Sequence, residues 1–267
     1  MTKRRLSKFA SAKEDAAKVQ RIPDTAQTLA PAYRLAFEDL EFLRREEMRP
    51  VRFQLELLKP ELMMAEAGIE TTVVLFGGAR IPDPVEKANA RTETLADLSR
   101  FYDEARKFAA LSGQESLTSD GRDYVVVTGG GPGVMEAGNR GAQDVGAKSI
   151  GLNIVLPHEQ APNEYVTPEL CFNFHYFALR KMHFLMRARA VAAFPGGFGT
   201  LDELFETLTL IQTERMQRVP VLLFGEAFWR SIVNWEALAD AGTISPEDLD
   251  LFHFVETADQ AWDLIKP

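Results

Sequence analysis

The spacing of apolar residues divides the chain near residue 70. From Asp24 to Gly68, Leu35, Leu40, Leu43, Phe53, Leu57 and Leu58 recur in helical stripes, punctuated by Pro31, Pro50 and Pro60. Beyond residue 70, short β-branched runs alternate with amphipathic stretches. Residues 71–80 begin as a buried strand and end in a glycine turn. Residues 91–112 place Leu95, Leu98, Tyr102, Ala105, Phe108 and Leu111 on one helical face, and the polar residues 113–123 read as a loop. Further strands are predicted at 124–128, 149–155, 171–176, 190–194, 219–225 and 252–256. Helices are predicted after the turn at 129–133 and over 177–189, 200–216, 228–242 and 258–266. This alternation predicts an α/β chain: a doubly wound, mostly parallel sheet with helices on both faces and an N-terminal helical extension. The expected parts are a basic tail (1–23), the extension (24–70) and a nucleotide-binding domain (71–267).

Composition narrows the function classes. Hydrophobic residues are 46% and charged residues 26% of 267, enough for a sizeable core and incompatible with wholesale disorder. No run approaches the ~18 apolar residues of a membrane span. The single cysteine, Cys171, excludes an intramolecular disulfide and argues against a cysteine-based zinc site. The net charge of -9 argues against a general nucleic-acid binder. Lys3, Arg4, Arg5, Lys8, Lys13, Lys18 and Arg21 make the start basic, but no apolar segment follows as in a secretory signal. A solvated tail and a cytoplasmic protein, without membrane or nucleic-acid partners, are expected.

Parallel sheets bind ligands at the carboxyl ends of their strands. Glycine-rich turns fall at three such ends, 77–78, 129–133 and 196–199. The segment GGGPGVME (129–136) opens a helix, where free N–H groups favour an anion and glycine permits close approach. It is neither a P-loop nor a good dinucleotide fingerprint, and a tight turn without a ligand is the competing reading. The segment PGGFGTLDE (195–203) also follows a buried strand. Its Thr200 and Glu203 fit a capping box. Alternatively, a carboxylate beside a phosphate-type turn suits sugar chemistry, where cleaving an N-glycosidic bond builds positive charge on ribose. Arg180 and Lys181 stand near the start of a helix, where the dipole disfavours cations, so they read as facing an anion. His175 and His183 have no companion residues at metal spacing and read as packing or surface residues.

Taken in order, GGGPGVMEAGNRGA, SIGLNI, LPHEQAPN, RKMHF and PGGFGTLDELFE resemble the LOG family over residues 71–225. These are the cytokinin riboside 5′-monophosphate phosphoribohydrolases and their bacterial relatives, long labelled lysine decarboxylases. The resemblance implies a Rossmann-like fold, a homodimer or higher assembly, and hydrolysis of nucleoside 5′-monophosphates to free base and ribose 5-phosphate. It matches Arg180 and Glu203 to the family's catalytic pair. Gly196, Gly197, Gly199 and Thr200 match its phosphate turn, and Gly130, Gly131, Gly133, Val134, Met135 and Glu136 its second nucleotide-contacting segment. Lys181 joins the expected substrate-binding set. The first turn, FGGAR, and the extra length resemble the longer bacterial branch, so adenosine 5′-monophosphate is as good a candidate substrate as a cytokinin nucleotide. Pyridoxal chemistry needs a lysine with a supporting set; Lys181 has none. No cofactor or metal is expected. A nucleotide-binding sensor of the same fold is the alternative function.

Overall fold

The computed structural model describes residues 9–157 and 161–266. Lys3, Arg4, Arg5 and Lys8 of the basic start, and residues 158–160 of the LPHEQAPN segment, lie outside the described residues. The chain forms two compact units, one up to Leu55 and one from Glu56 onward.

In the first unit, α1 (Ala12–Val19) is closed by a capping box between Ser11 and Glu14 and buries no residue. The short α2 (Leu40–Leu43) is capped by the Asp39 carboxylate. The helical pattern predicted from Asp24 becomes a long helix only at α3 (Arg49–Glu66). Before that, Pro31 opens an isolated 3-10 turn, and Pro50 sits in the first turn of α3, where a missing N–H costs little.

The second unit is built on a seven-stranded sheet in the order β4-β3-β2-β1-β5-β6-β7. The strands are β1 (Thr72–Phe76), β2 (Val125–Thr128), β3 (Ser149–Ile154), β4 (Cys171–Phe174), β5 (Ala188–Ala193), β6 (Val221–Phe224) and β7 (His253–Val255). Every pairing is parallel. The central strands are buried on both sides, which is why they read as unbroken apolar runs. Alternate residues feed two cores. Val74, Phe76, Val125 and Val127 pack with residues of α3, α7 (Phe177–Leu185) and α8 (Phe198–Gln212). Val73, Leu75 and Val126 pack on the other face. There they meet α5 (Arg100–Thr118), α6 (Val134–Asp144) and α11 (Ala258–Ile265). The winding reverses between β1 and β5, and the crevice at the carboxyl ends there is where such sheets take ligands.

Three predicted elements change. The helix predicted over 177–189 stops at Leu185, because β5 already begins at Ala188. Helix α5, preceded by the short α4 (Glu93–Asp97), does not stop at residue 112 but runs to Thr118. Its polar end is small rather than loop-like. Ser112 and Ser116 are buried, Ser112 donates to the Tyr124 carbonyl, and Gly113 lies so close to Val145 that a Cβ would stand 2.8 Å away. The helix predicted over 228–242 is two helices, α9 (Glu226–Ile232) and α10 (Trp235–Asp240), because Asn234 caps the second by accepting from the Ala237 N–H.

Helix α3 continues through Pro60, which is buried. Proline supplies no N–H to the carbonyl four residues back, that of Glu56. The His183 ring stands 3.2 Å from that carbonyl through Nε2, so this nitrogen carries the proton. Burial lowers the His183 pKa, which keeps the ring neutral. The Glu56 carboxylate in turn accepts from the His175 and Tyr176 N–H groups at 2.9 and 3.1 Å, closing the start of α7.

Candidate active site

Three turns meet at the crevice. The Gly78 N–H donates to the Pro195 carbonyl at 2.9 Å, and the Gly78 carbonyl accepts from the Val134 N–H at 3.3 Å. Gly78 therefore ties the first turn to both others. Gly133 caps α6 at φ +68°, and a Cβ there would lie 2.5 Å from the Gly78 oxygen. Gly130, at φ +72°, would collide with Asn153. The carbonyls of Gly130 and Gly131 accept from Asn163, whose side chain also donates to Asn139. Asn139 accepts from Thr128 and donates to Ser149, and Thr128 accepts from the Gly130 N–H. A buried polar network thus shapes the second turn. Sequence reasoning missed Thr128, Asn139 and Asn163, because their partners lie on separate segments and no local motif joins them.

The cleft between the turns has a volume of about 300 Å³. Gly77, Gly78, Gly129, Met135, Arg180, Gly197, Gly199, Thr200, Asp202 and Glu203 line it, and Ile154, Leu156, Phe177 and Phe184 add apolar wall. Arg180 turns back from α7, so that its Nε donates to the Leu152 carbonyl at 2.6 Å and its guanidinium lies 5.1 Å from the Phe184 ring. Its Nη2 reaches over Gly129, where a Cβ would stand 2.6 Å from it. Burial lowers the Arg180 pKa, and Glu203 opposes that effect. Glu203 is 6% exposed, and its Oε2 is buried without a hydrogen-bond partner among the described residues. Burial pushes its pKa up to about 7, against the pull of Lys181 and Arg180.

The capping-box reading of Thr200 and Glu203 is overturned. Helix α8 begins at Phe198 behind Gly197, and no side chain caps it. Thr200 is therefore the third helical residue and Glu203 lies a turn further in, so neither can close the helix end. The N–H groups of Phe198, Gly199 and Thr200 head the helix without intrahelical acceptors.

Other expected site residues stand elsewhere. Val134 is fully buried, and its N–H is spent on Gly78. Glu136 accepts from the Tyr102 hydroxyl at 2.7 Å; burial first, and this bond second, hold that phenol's pKa well above its ordinary value. Gly196 backs onto Thr200, where a Cβ would meet Oγ1 at 2.1 Å. Gly130, Gly131 and Gly133 frame the second turn, but the cleft wall takes Gly129 and Met135 from that segment. Lys181 is absent from the wall; it is ion-paired with Asp202 at 2.7 Å and Glu206 at 2.9 Å. The sequence paired Arg180 and Lys181 as one anion-facing unit, and the fold separates them.

A family model described as "Possible lysine decarboxylase" matches residues 135–265. The cytokinin riboside 5′-monophosphate phosphoribohydrolase LOG1 of Arabidopsis thaliana is 30% identical over 164 residues, 60% of this chain and 73% of that protein. The chain belongs to the LOG family. Among solved structures, a structural-genomics target determined by X-ray is 21% identical with a TM-score of 0.49, covering 73% of this chain and 98% of that one. The molybdenum cofactor binding protein of Rippkaea orientalis is 17% identical with a TM-score of 0.48, covering 74% of this chain and 96% of that one. In this LOG protein no lysine lines the cleft among the described residues. Among the described residues no group of three His, Cys, Asp or Glu side chains converges for a metal, and no helix is long and apolar enough to cross a membrane.

Proposed function

We propose that the protein hydrolyses the N-glycosidic bond of a purine nucleoside 5′-monophosphate, adenosine 5′-monophosphate or a cytokinin nucleotide, to free base and ribose 5-phosphate. The observation that carries this reading is Glu203: a buried carboxylate with an unpartnered oxygen, one turn into a helix whose uncapped N–H groups open on the same cleft. The 5′-phosphate is held by those N–H groups, with glycines at 197 and 199 leaving room for it. The ribose then lies over Glu203. As the bond from C1′ to the base breaks, its electron pair leaves with the base, which takes up a proton from solvent, balanced by the proton that the attacking water gives to Glu203 and that Glu203 returns to solvent. Glu203 in its ionised form stabilises the ribosyl cation and accepts a proton from the water that attacks C1′. Arg180, anchored through Nε, turns its remaining N–H groups to substrate oxygens. The protein works as a homodimer; exposed Met182 on α7, Met186 just after it and Phe205 on α8 support that assembly, and light scattering tests it.

Incubation with nucleotides, followed by chromatography of the released base, tests the reaction. Release from the monophosphate, with little from the nucleoside, is expected. Binding of monophosphate with no base released overturns hydrolysis and leaves the nucleotide sensor.

A further inference from the structure

Helix α8 presents three carboxylates, Asp202, Glu203 and Glu206, within five residues. Residues three and four apart on a helix are neighbours, so these groups repel. Helix α7 answers with adjacent cations that are used differently. Arg180 lines the cleft, whereas the Lys181 ammonium sits between Asp202 and Glu206, with its side chain only 16% exposed. The charged groups acting on Glu203 are thus Arg180 and Lys181 from α7, and Asp202 and Glu206 from α8. The first turn adds only backbone and small side chains, Gly77, Gly78 and Ala79, to the same cleft.

We propose that Lys181 is a positioning residue rather than a substrate ligand: clamped between Asp202 and Glu206, it neutralises the carboxylates flanking Glu203 and so keeps Glu203 ionised for the reaction. This rests on the role given to Glu203 above. Without Lys181, two uncompensated negative charges flank Glu203 and hold its proton. Without Asp202 or Glu206, the lysine charge is less neutralised and releases it. The substitutions therefore act with opposite signs, which a clamp serving stability alone does not produce.

The test is a carbon-13 NMR titration of glutamate-labelled full-length protein, with the Glu203 carboxyl signal identified by its loss in Glu203→Gln. Lys181→Gln is expected to move the Glu203 midpoint to higher pH by about one unit, and Asp202→Asn and Glu206→Gln to lower pH by a similar amount. Lys181→Arg keeps it near the wild-type value. The acid limb of the rate profile on adenosine 5′-monophosphate is expected to move with each midpoint. An unmoved midpoint, or one displaced in the same direction by all three variants, overturns the proposal. So does a Lys181→Gln enzyme whose KM rises while its acid limb stays in place, because that is the behaviour of a substrate ligand. If Lys181→Gln does not fold, the two carboxylate variants decide by the downward shift alone. Absence of turnover in the wild type overturns the function proposed above, while the titration still decides the role of Lys181.

Discussion

The second and third glycine turns look alike in sequence: each follows a buried parallel strand and opens a helix. Their surroundings are opposite. At 130–133 the glycines are there for the protein itself. Gly130 and Gly133 have positive φ, a Cβ at either would strike a neighbour within 2.5 Å, and the turn's carbonyls are taken by Asn163. At 197–199 the fold asks nothing of glycine. Neither Gly197 nor Gly199 has positive φ, and a Cβ at either would meet nothing within 4 Å. Glycine is needed at 130, 133 and 196 because the protein is close, whereas at 197 and 199 it keeps space open. The comparison teaches that a glycine count says little about a site, whereas what a Cβ would touch separates packing from vacancy.

The largest effect that sharpens this contrast is expected at Glu203. Glu203→Gln should lower turnover ~10²-fold or more, as for loss of one electrostatic stabiliser, with folding intact. The sign of its stability effect is a further check. The folded-state pKa of about 7 lies above the ordinary glutamate value of 4.5, so the folded protein holds a proton that the unfolded chain has released. Wild-type stability should therefore fall as pH rises from about 4.5 to about 7, by roughly 3 kcal/mol. The variant should lack this fall, and urea denaturation at pH 4.5 and pH 8 measures the difference. Equal slopes in the two proteins would show that the burial of this carboxylate costs nothing.

Next comes Gly133→Ala in the packed turn. It forces a side chain into a left-handed conformation and against the Gly78 oxygen, and should cost about 2 kcal/mol in stability. Gly199→Ala in the open turn should change stability by less than about 0.5 kcal/mol. Its KM for the monophosphate should nevertheless rise about tenfold, since a methyl group then occupies space left for phosphate. Comparable destabilisation by both alanines would show that the turn at 197–199 is packed as closely as the one at 130–133.

Much of the architecture was legible because parallel strands buried on two faces read as apolar runs, and glycines mark the turns after β1, β2 and β5. The chain order of Arg180 and Glu203 around those turns was legible too. Three things were not. The reach of α5 to Thr118 depends on serines and a glycine being small enough to meet α6, which a polar pattern hides. The start of α8 at Phe198 moved Thr200 and Glu203 out of capping positions, because a glycine N-cap leaves no side-chain signal. The separation of Arg180 from Lys181 depends on α7 lying beside α8, a tertiary fact absent from local spacing.

Pro60 belongs with these hidden signals. A proline in a helix is commonly read as damage, yet here it works as an address. By supplying no N–H to the Glu56 carbonyl of α3, it frees the acceptor that the His183 ring reaches at 3.2 Å. A slip of one turn in either direction would set His183 against a carbonyl already occupied within its own helix. The proline thus writes the registry between two helices far apart in the chain, and the helix kept in register is the one that carries Arg180.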